Sequence, residues 1–217
     1  MLRLRVCRVL MDTDPDALQD VLLRWAAPRL AAADDAPALA ADGKRIRGAN
    51  RHAGGGACFE TVTLVTHAGH PLASRCRRDV GGETAALRAL LEDVDLRGCV
   101  LTLDALHATR DTATGAASAE TAYGITTVPA GRAGPERLLA WNRGHWQVEN
   151  GNHHRRDATM GEDASRVRKG HAPANNAILN NIALAVVFHR GFRYLPEANF
   201  HFAMRRRESL DAILSPH

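Results

Sequence analysis

Residues 98–106 read GCVLTLDAL, a short apolar run that ends on the acid Asp104. A run of this kind, opened by glycine and closed by a polar residue, is typical of a strand buried in the centre of a sheet. The preceding stretch, ETAALRALLEDV (83–94), has helical periodicity and predicts a helix that leads into this strand. The fold class therefore depends on what lies upstream of that helix.

Three strand-like stretches lie upstream. ALAA (38–41) precedes Asp42, CFETVTLVTH (58–67) alternates and is rich in β-branched residues, and an AGH turn leads into PLASRCR (71–77). The last two predict a hairpin. The order β-β-β-α-β resembles the opening of the ribonuclease H-like fold, in which the first and fourth strands are neighbours. We therefore expect an α/β fold with a mixed sheet flanked by helices.

In that arrangement Asp42 and Asp104 end adjacent strands. A third acid, Glu149, lies on a predicted helix that begins at Gly134–Pro135, where polar residues recur at helical steps. These are Asn142, His145, Glu149, Asn152 and Arg156. Taken singly, each acid has an ordinary explanation: a turn residue, a helix cap or an exposed carboxylate. Taken together, three converging carboxylates could hold two divalent ions for phosphoryl transfer on nucleic acid.

Charge points to the same class of partner. The chain carries 28 Lys and Arg against 24 Asp and Glu, with a pI of about 9.2, and basic residues crowd its C-terminal third. Surfaces that contact phosphates often have this character. On charge alone, a basic face that only contacts solvent fits equally well.

The cysteine spacing and the lack of long apolar runs argue against several other classes of protein. The four cysteines show no metal-site or disulfide spacing, so neither is expected. Arginines at positions 3, 5 and 8 interrupt any signal-peptide core, and no run reaches membrane-spanning length. We therefore expect a cytoplasmic protein without a membrane partner.

Helical periodicity predicts further helices over 15–32, 172–189 and 200–214. We divide the chain into an N-terminal helical remnant, residues 1–34, and a core with a helical C-terminal part, residues 35–217.

Several local sequences closely resemble the DDE transposases of bacterial insertion sequences, specifically the ISAs-one type. They are DGKRIRGA, DLRGCVLTLDALHATRDTA, ETAYGITTV, RGHWQVEN and GEDASRVRKGHAPANNAILNNIAL, in the order of that family and over nearly the whole chain. The resemblance implies a catalytic triad of Asp42, Asp104 and Glu149 that binds Mg²⁺ (or Mn²⁺). It also implies cleavage of double-stranded DNA at the ends of an element and strand transfer into target DNA, and it admits a homo-oligomer.

Candidate DNA contacts follow from the basic residues around these motifs: Arg143, His145, Arg156, Arg166, Arg168 and Lys169. His145, one helical turn before Glu149, could orient that carboxylate or contact DNA. The ordinary interpretation, a histidine on the helix surface or partly buried with neither role, is favoured slightly over both.

The chain also departs from the family. The match begins abruptly at VCRVLMDTDPDAL, and DTATGAASAETAYG spans the interval in which the family has a further strand and an insertion. Asn152-His153-His154 stands where the family has L-H-W. We therefore expect a shortened copy of such a transposase. Its sheet should lack one strand, unless TAYGITTV replaces that strand. This copy should not complete transposition.

Three alternatives stay open. The first is a non-catalytic DNA-binding transposase remnant, which needs only the basic C-terminal third. The second is a histidine-based metal hydrolase using His145, His153 and His154, although their spacing fits no common zinc motif. The third is a ribonuclease H-like nuclease.

Overall fold

Four strands form the sheet at the centre of the part of the chain that the structure describes. They are β1 (Ala38–Arg45), β2 (Glu60–Thr66), β3 (Pro71–Arg77) and β4 (Val100–Leu103). The structure is a computed structural model that describes residues 2–31, 37–50, 59–77, 82–103, 126, 128–129 and 131–214. The strands lie in the order β3-β2-β1-β4, so the sheet is open and mixed.

The pairing of the strands confirms the sequence-based expectation for the first and fourth. β1 runs parallel to β4, with Ala38 opposite Val100 and Ala41 opposite Leu103. β1 runs antiparallel to β2, which in turn pairs with β3 as a hairpin. The coarse prediction, an α/β fold with a mixed sheet flanked by helices, is therefore confirmed. The segment TAYGITTV, which could supply another strand, lies largely outside the described residues.

Helices account for most of the remaining described chain. They are α1 (Leu2–Asp12), α2 (Pro15–Ala31), α3 (Arg47–Asn50), α4 (Gly82–Glu92), α5 (Pro135–His145), α6 (His154–Ala158), α7 (Ala172–His189), α8 (Leu195–Met204) and α9 (Arg206–Leu214). A π-helical segment (Val148–His153) precedes α6, and a 3₁₀ turn (Glu162–Ala164) follows it. The single C-terminal helix predicted over 200–214 was wrong, because the chain breaks at Arg205 between α8 and α9.

The two faces of the sheet bury different helices because side chains alternate along β1. Leu39 and Ala41 point into one cluster with Ala86 and Leu90 of α4. Ala40 points the other way, into a cluster with Val65 and Val148 of the π-helical segment. Side chains at even positions of β1, including position 42, therefore face the helical run that carries Glu149.

The N-terminal helices pack on the core through polar contacts. The Gln19 side chain of α2 accepts hydrogen bonds from the backbone N–H and the hydroxyl of Ser74 on the edge strand β3, at 2.9 and 3.1 Å. The Asn175 amide of α7 donates to the carbonyls of Leu10 and Thr13 at 2.9 and 2.8 Å. The division into residues 1–34 and 35–217 stays a prediction.

A buried ion pair joins the helical run to the sheet. Arg156 and Glu162, both fully buried, form two hydrogen bonds of 2.9 and 2.6 Å. Arg156 also donates to Thr63 of β2 at 3.3 Å, and Asn180 of α7 donates to Glu162 at 2.8 Å. One guanidinium and one carboxylate thus connect α6, the 3₁₀ turn, β2 and α7.

Asn152 extends this network. It is fully buried, and its amide donates to the Asn181 side chain at 3.0 Å. We expected apolar packing at this position, on the family pattern, but the structure buries a polar side chain here. Asn181 of α7 accepts the hydrogen bond from its amide nitrogen, whereas its Oδ1 has no hydrogen-bond partner among the described residues.

The DGK segment and the GED segment, residues 42–44 and 161–163, also contact each other. Lys44 of β1 is buried and places its ammonium group 2.7 Å from Asp157 and 3.4 Å from Asp163. Burial of a lysine is tolerated because two carboxylates compensate its charge. These contacts fix the chain after the π-helical segment against the strand that carries Asp42.

None of the helices in the described ranges is long and apolar enough to cross a bilayer.

Replacing Glu162 by Gln should lower the free energy of unfolding by about 3 kcal/mol, because Arg156 would keep a buried charge without its carboxylate partner. Glu208→Gln is the matched control, since that carboxylate pairs with His201 at the surface and is 56% exposed. The control should change stability by less than about 1 kcal/mol. Urea unfolding monitored by circular dichroism measures both. Equal effects of the two substitutions would contradict a structural role for the buried pair.

Candidate functional site

Asp42 occupies the face of β1 that is covered by the π-helical segment. Its side chain is only 17% exposed. One carboxylate oxygen accepts the backbone N–H of Gly43 at 2.8 Å, and the other lies 3.7 Å from Nδ1 of His153. A carboxylate with so little solvent and few donors is poorly stabilised in its charged form.

The electrostatic surroundings of Asp42 reflect this position. Its pKa is raised from 3.8 to about 6, chiefly by burial, and further by the negative charges of Glu83 and Glu149. The Gly43 N–H and a positive charge on His145 act in the opposite direction. Glu149 therefore contributes to the electrostatic field at Asp42. The convergence of the three acids stays a prediction.

Glu83 is a member of this site that the sequence analysis missed. A Cβ on Gly43 would lie 2.6 Å from Cδ of Glu83, so the carboxyl group at the start of α4 packs directly on the Gly43 backbone. Nothing local distinguished Glu83, because an acid in the first turn of a helix is ordinary. The glycine after Asp42 was the available signal, since it marks a close approach by another group.

Glu149 lies in the π-helical segment and not in a regular α-helix. Within this segment Val148 and Asn152 are fully buried, whereas Glu149 is exposed. The polar stripe predicted from 3.6-residue periodicity is therefore mostly an interior surface: His145, Asn152 and Arg156 are buried. π-helical turns within α-helices occur frequently at functional sites.

Asp104 lies outside the described residues. The last described pair between β1 and β4 is Ala41 with Leu103, the residues immediately before Asp42 and Asp104 in the sequence.

His145 is held against β4. Its Nδ1 lies 3.1 Å from the hydroxyl of Thr102, which is also 3.0 Å from Nε2 of His67. The same hydroxyl donates to the carbonyl of Leu39 at 3.0 Å. Burial lowers the pKa of His67, and a charge on His145 would lower it further. The sequence singled out His145 but gave no signal for Thr102 or His67.

The three histidines of the alternative metal hydrolase are not brought together. His145 contacts Thr102, His154 is exposed, and His153 lies beside Asp42. The pKa of His153 is lowered to about 3 by burial and by the charges of Arg156 and Lys44. Within the described ranges, no three His, Cys, Asp or Glu side chains are grouped closely enough to bind a metal ion.

The chemistry of these acids fits a hard divalent cation. Asp42 and Glu149 offer carboxylate oxygens, the ligands that Mg²⁺ and Mn²⁺ prefer. The pKa of Asp42 is raised chiefly by burial and further by the negative charges of Glu83 and Glu149, and a bound cation would favour its charged form.

The predicted DNA contacts divide into two groups. Arg143, Arg166, Arg168 and Lys169 are exposed, and none of them forms a salt bridge within the part of the chain that the structure describes. The two arginines at 166 and 168 flank the half-buried Val167 in a segment without helix or strand. Arg156, in contrast, is fully buried against Glu162, and His145 is only 8% exposed. Neither is accessible to DNA in this structure, so we withdraw both from the set of DNA contacts.

Comparisons with known proteins add no relative: no protein-family model, curated protein or solved structure matches the sequence.

Asp42→Asn should stabilise the protein at neutral pH. A carboxyl group whose pKa rises from 3.8 to about 6 on folding binds more protons in the folded state, so stability falls as pH rises through that window. Because the side chain is partly solvated, we expect a gain of about 2 kcal/mol at pH 7 that disappears towards pH 4.

Urea unfolding at several pH values without divalent cations measures this gain. Asp95→Asn is the control of opposite sign, because Arg97 lowers the pKa of the exposed Asp95 to about 2. A gain for Asp42→Asn that does not depend on pH would contradict the electrostatic explanation.

Proposed function

We propose that this chain is a DDE-type DNA transposase with a ribonuclease H-like core, whose carboxylates support metal-dependent cleavage of phosphodiester bonds in double-stranded DNA. The observation that carries the proposal is the half-buried Asp42 on β1, a strand that lies parallel to β4, with the negative charge of Glu149 acting on the Asp42 carboxyl group. Asp104 follows β4 in the sequence and is the proposed third member of the triad.

The sheet supports the finer fold assignment. The strand order β3-β2-β1-β4, with only β1 and β4 parallel, agrees with the opening of a ribonuclease H-like sheet as the sequence predicted it. In this proposal the helical run from α5 to α6 brings the third acid to the sheet. The buried ion pair of Arg156 and Glu162 holds that run in place.

In this proposal the divalent ion and the protein side chains have different tasks. Mg²⁺ or Mn²⁺, when bound, would supply positive charge to the reacting phosphate. Asp42, Asp104 and Glu149 would hold the ion, and Glu83 adds negative charge that favours its binding. The protein's further task is to position the DNA backbone, for which positively charged groups near the site are needed.

The exposed basic residues are the proposed DNA surface. Arg166, Arg168 and Lys169 follow the 3₁₀ turn, whose Asp163 is paired with Lys44 of β1. A Cβ on Gly48 would lie 2.4 Å from the carbonyl oxygen of Ser165, so α3 also packs closely on this segment. The basic segment is therefore fixed relative to the strand that carries Asp42, as a phosphate-binding surface requires.

We expect hydrolytic cleavage to be retained better than strand transfer. Cleavage uses one DNA duplex and water, whereas strand transfer requires a second duplex to be held in line with the first. The interval from Asp104 to Glu149 is short for the family, and support for a second duplex is what a shortened interval would lose.

The alternative is a DNA-binding remnant without catalysis. It requires only the exposed basic residues, of which Arg143, Arg166, Arg168 and Lys169 form no salt bridge within the described residues. Binding without cleavage in the following two experiments would establish this alternative.

In the first, purified protein should nick supercoiled plasmid DNA with Mg²⁺ or Mn²⁺ and not with EDTA. Asp42→Asn, Asp104→Asn and Glu149→Gln should each reduce nicking by at least about a hundredfold, because each removes a charged ligand. Asp95→Asn is the control, since that carboxylate is exposed and paired with Arg97. Nicking that survives in all three variants would exclude the proposed triad.

In the second, affinity for duplex DNA should fall as salt rises. Replacing Arg166, Arg168 and Lys169 together by Gln should reduce the slope of log K against log salt by roughly 2 to 3, since each lost phosphate contact removes about 0.9. The matched control replaces the exposed Arg88 and Arg97, which lie on and after α4. An unchanged slope for the triple variant would show that the segment only contacts solvent.

A further inference from the structure

A cluster of cationic side chains lies where the turn between β2 and β3 meets the C-terminal end of α7. Its centre is Arg155 of α6, whose guanidinium group donates to the Gly151 carbonyl at 3.1 Å and to the Arg193 carbonyl at 3.4 Å. The same group lies over the Phe188 ring, with its Cζ 4.5 Å from the ring centroid. Two carbonyls and an aromatic ring therefore hold this guanidinium group in place.

The charge of Arg155 is not compensated by a carboxylate. Its pKa is lowered, first by burial and then by the positive charge of Arg193. Within the described ranges, neither arginine forms a salt bridge. A guanidinium group carries five N–H donors in one plane, and the two carbonyls use only part of them. Free donors in a fixed plane, on a charge without a partner, are what a phosphate group requires.

Arg193 extends the cluster towards solvent. Its side chain is exposed, and its Cζ lies 5.4 Å from the centroid of the Tyr194 ring, which is 57% exposed. Arg190, directly after α7, is exposed as well. The nearest acid along the chain, Glu197, forms no ion pair in the part of the chain that the structure describes. The cluster therefore presents positive charge at the surface.

Two contacts place this cluster beside the first residues of β1. The His70 ring stacks on the Phe188 ring, with their centroids 5.2 Å apart. A Cβ on Gly69 would lie 3.6 Å from the Cα of Gly151, so the turn also packs on the π-helical segment. In the sheet, the end of β2 that leads into this turn pairs with the start of β1.

The basic segment 166–169 lies at the other end of the same strand. It follows Ser165, whose carbonyl oxygen packs on Gly48 just beyond the end of β1. The eight residues of β1 span roughly 23 Å, at about 3.3 Å per residue. Asp42 belongs to this strand, so it lies between the two cationic surfaces.

We propose that Arg155 and Arg193 bind a phosphate of the DNA backbone, so that bound DNA contacts the protein at both ends of β1 with Asp42 between the two contacts. This inference rests on the proposed function, to which it adds a second point of contact. Duplex DNA advances by about 3.4 Å per base pair, so about seven base pairs separate the two contacts. An acidic peptide would meet the same charges, but it lacks the regular phosphate spacing that two separate surfaces can use.

The central experiment measures how salt weakens binding of a fluorescent duplex of about 16 base pairs, by fluorescence anisotropy. Replacing Arg155 and Arg193 together by Gln should reduce the slope of log K against log salt by roughly 2, since each lost phosphate contact removes about 0.9. The matched control replaces the exposed Arg88 and Arg97 by Gln and should leave the slope unchanged.

A second variant separates DNA contact from loss of fold. Arg155→Gln removes hydrogen bonds that hold the π-helical segment, so thermal unfolding of each variant is measured alongside binding. Arg193→Gln alone removes an exposed guanidinium group and keeps the backbone carbonyl that Arg155 uses. It should reduce the slope by roughly 1 without a change in Tm.

A wild-type slope in both the double variant and Arg193→Gln, together with nicking that depends on Asp42, would overturn this inference alone. An equal loss of affinity for a polyaspartate peptide of the same charge would also overturn it, because the cluster would then select any polyanion. The proposed function fails by a different measurement: nicking that is absent in wild type, or that persists in Asp42→Asn, rejects metal-dependent cleavage whatever the salt slope.

Discussion

A guanidinium and a carboxylate, both withheld from water, determine where the rest of the candidate site lies. Arg156 and Glu162 join α6 to the 3₁₀ turn, and through Thr63 and Asn180 they join both to β2 and α7. A buried pair of this kind often contributes little net stability, because desolvation of two charges offsets their attraction. Its effect here is directional: the planar guanidinium forms two hydrogen bonds with one carboxylate, which restrains the orientation of the helical run against the sheet.

Ionised Asp42 lowers the stability of the folded protein. Burial and two neighbouring negative charges raise the pKa of Asp42, so ionisation of this residue destabilises the folded state. A purely structural position would have no reason to retain such a group. Carboxyl groups with pKa values raised by burial and by nearby negative charge are enriched at sites that bind cations or carry out proton chemistry.

Much of the sheet could be predicted because its signals are local: the apolar and β-branched residues of β2 reflect burial on both faces. The apolar run before Asp104 does form a strand, but its expected position in the buried centre of the sheet was wrong, because β4 lies at an edge of the described sheet and Leu103 is 48% exposed. The exposed α1, with its interrupted apolar pattern, was not predicted. Arg156 was assigned to DNA because charge alone does not reveal a distant partner, and Glu162 becomes that partner only through folding. Glu83 and Thr102 were missed for the same reason, since each enters the site across the sheet and not along the chain. Asp104 lies outside the described residues, so its role is inferred from the sequence alone.

The π-helical segment changes the direction in which side chains after it point, relative to side chains before it. A regular α-helix turns by about 100° per residue, so the extra residue taken up between Val148 and His153 rotates everything after it relative to everything before it. His145 contacts Thr102 of β4, whereas Arg156 contacts Glu162 and Thr63 of β2. Removing one residue from this segment would rotate Arg156 by about 100° relative to His145, so one of the two sets of contacts would be lost. The length of the segment, more than the identity of its side chains, is therefore the quantity that selection would be expected to hold constant.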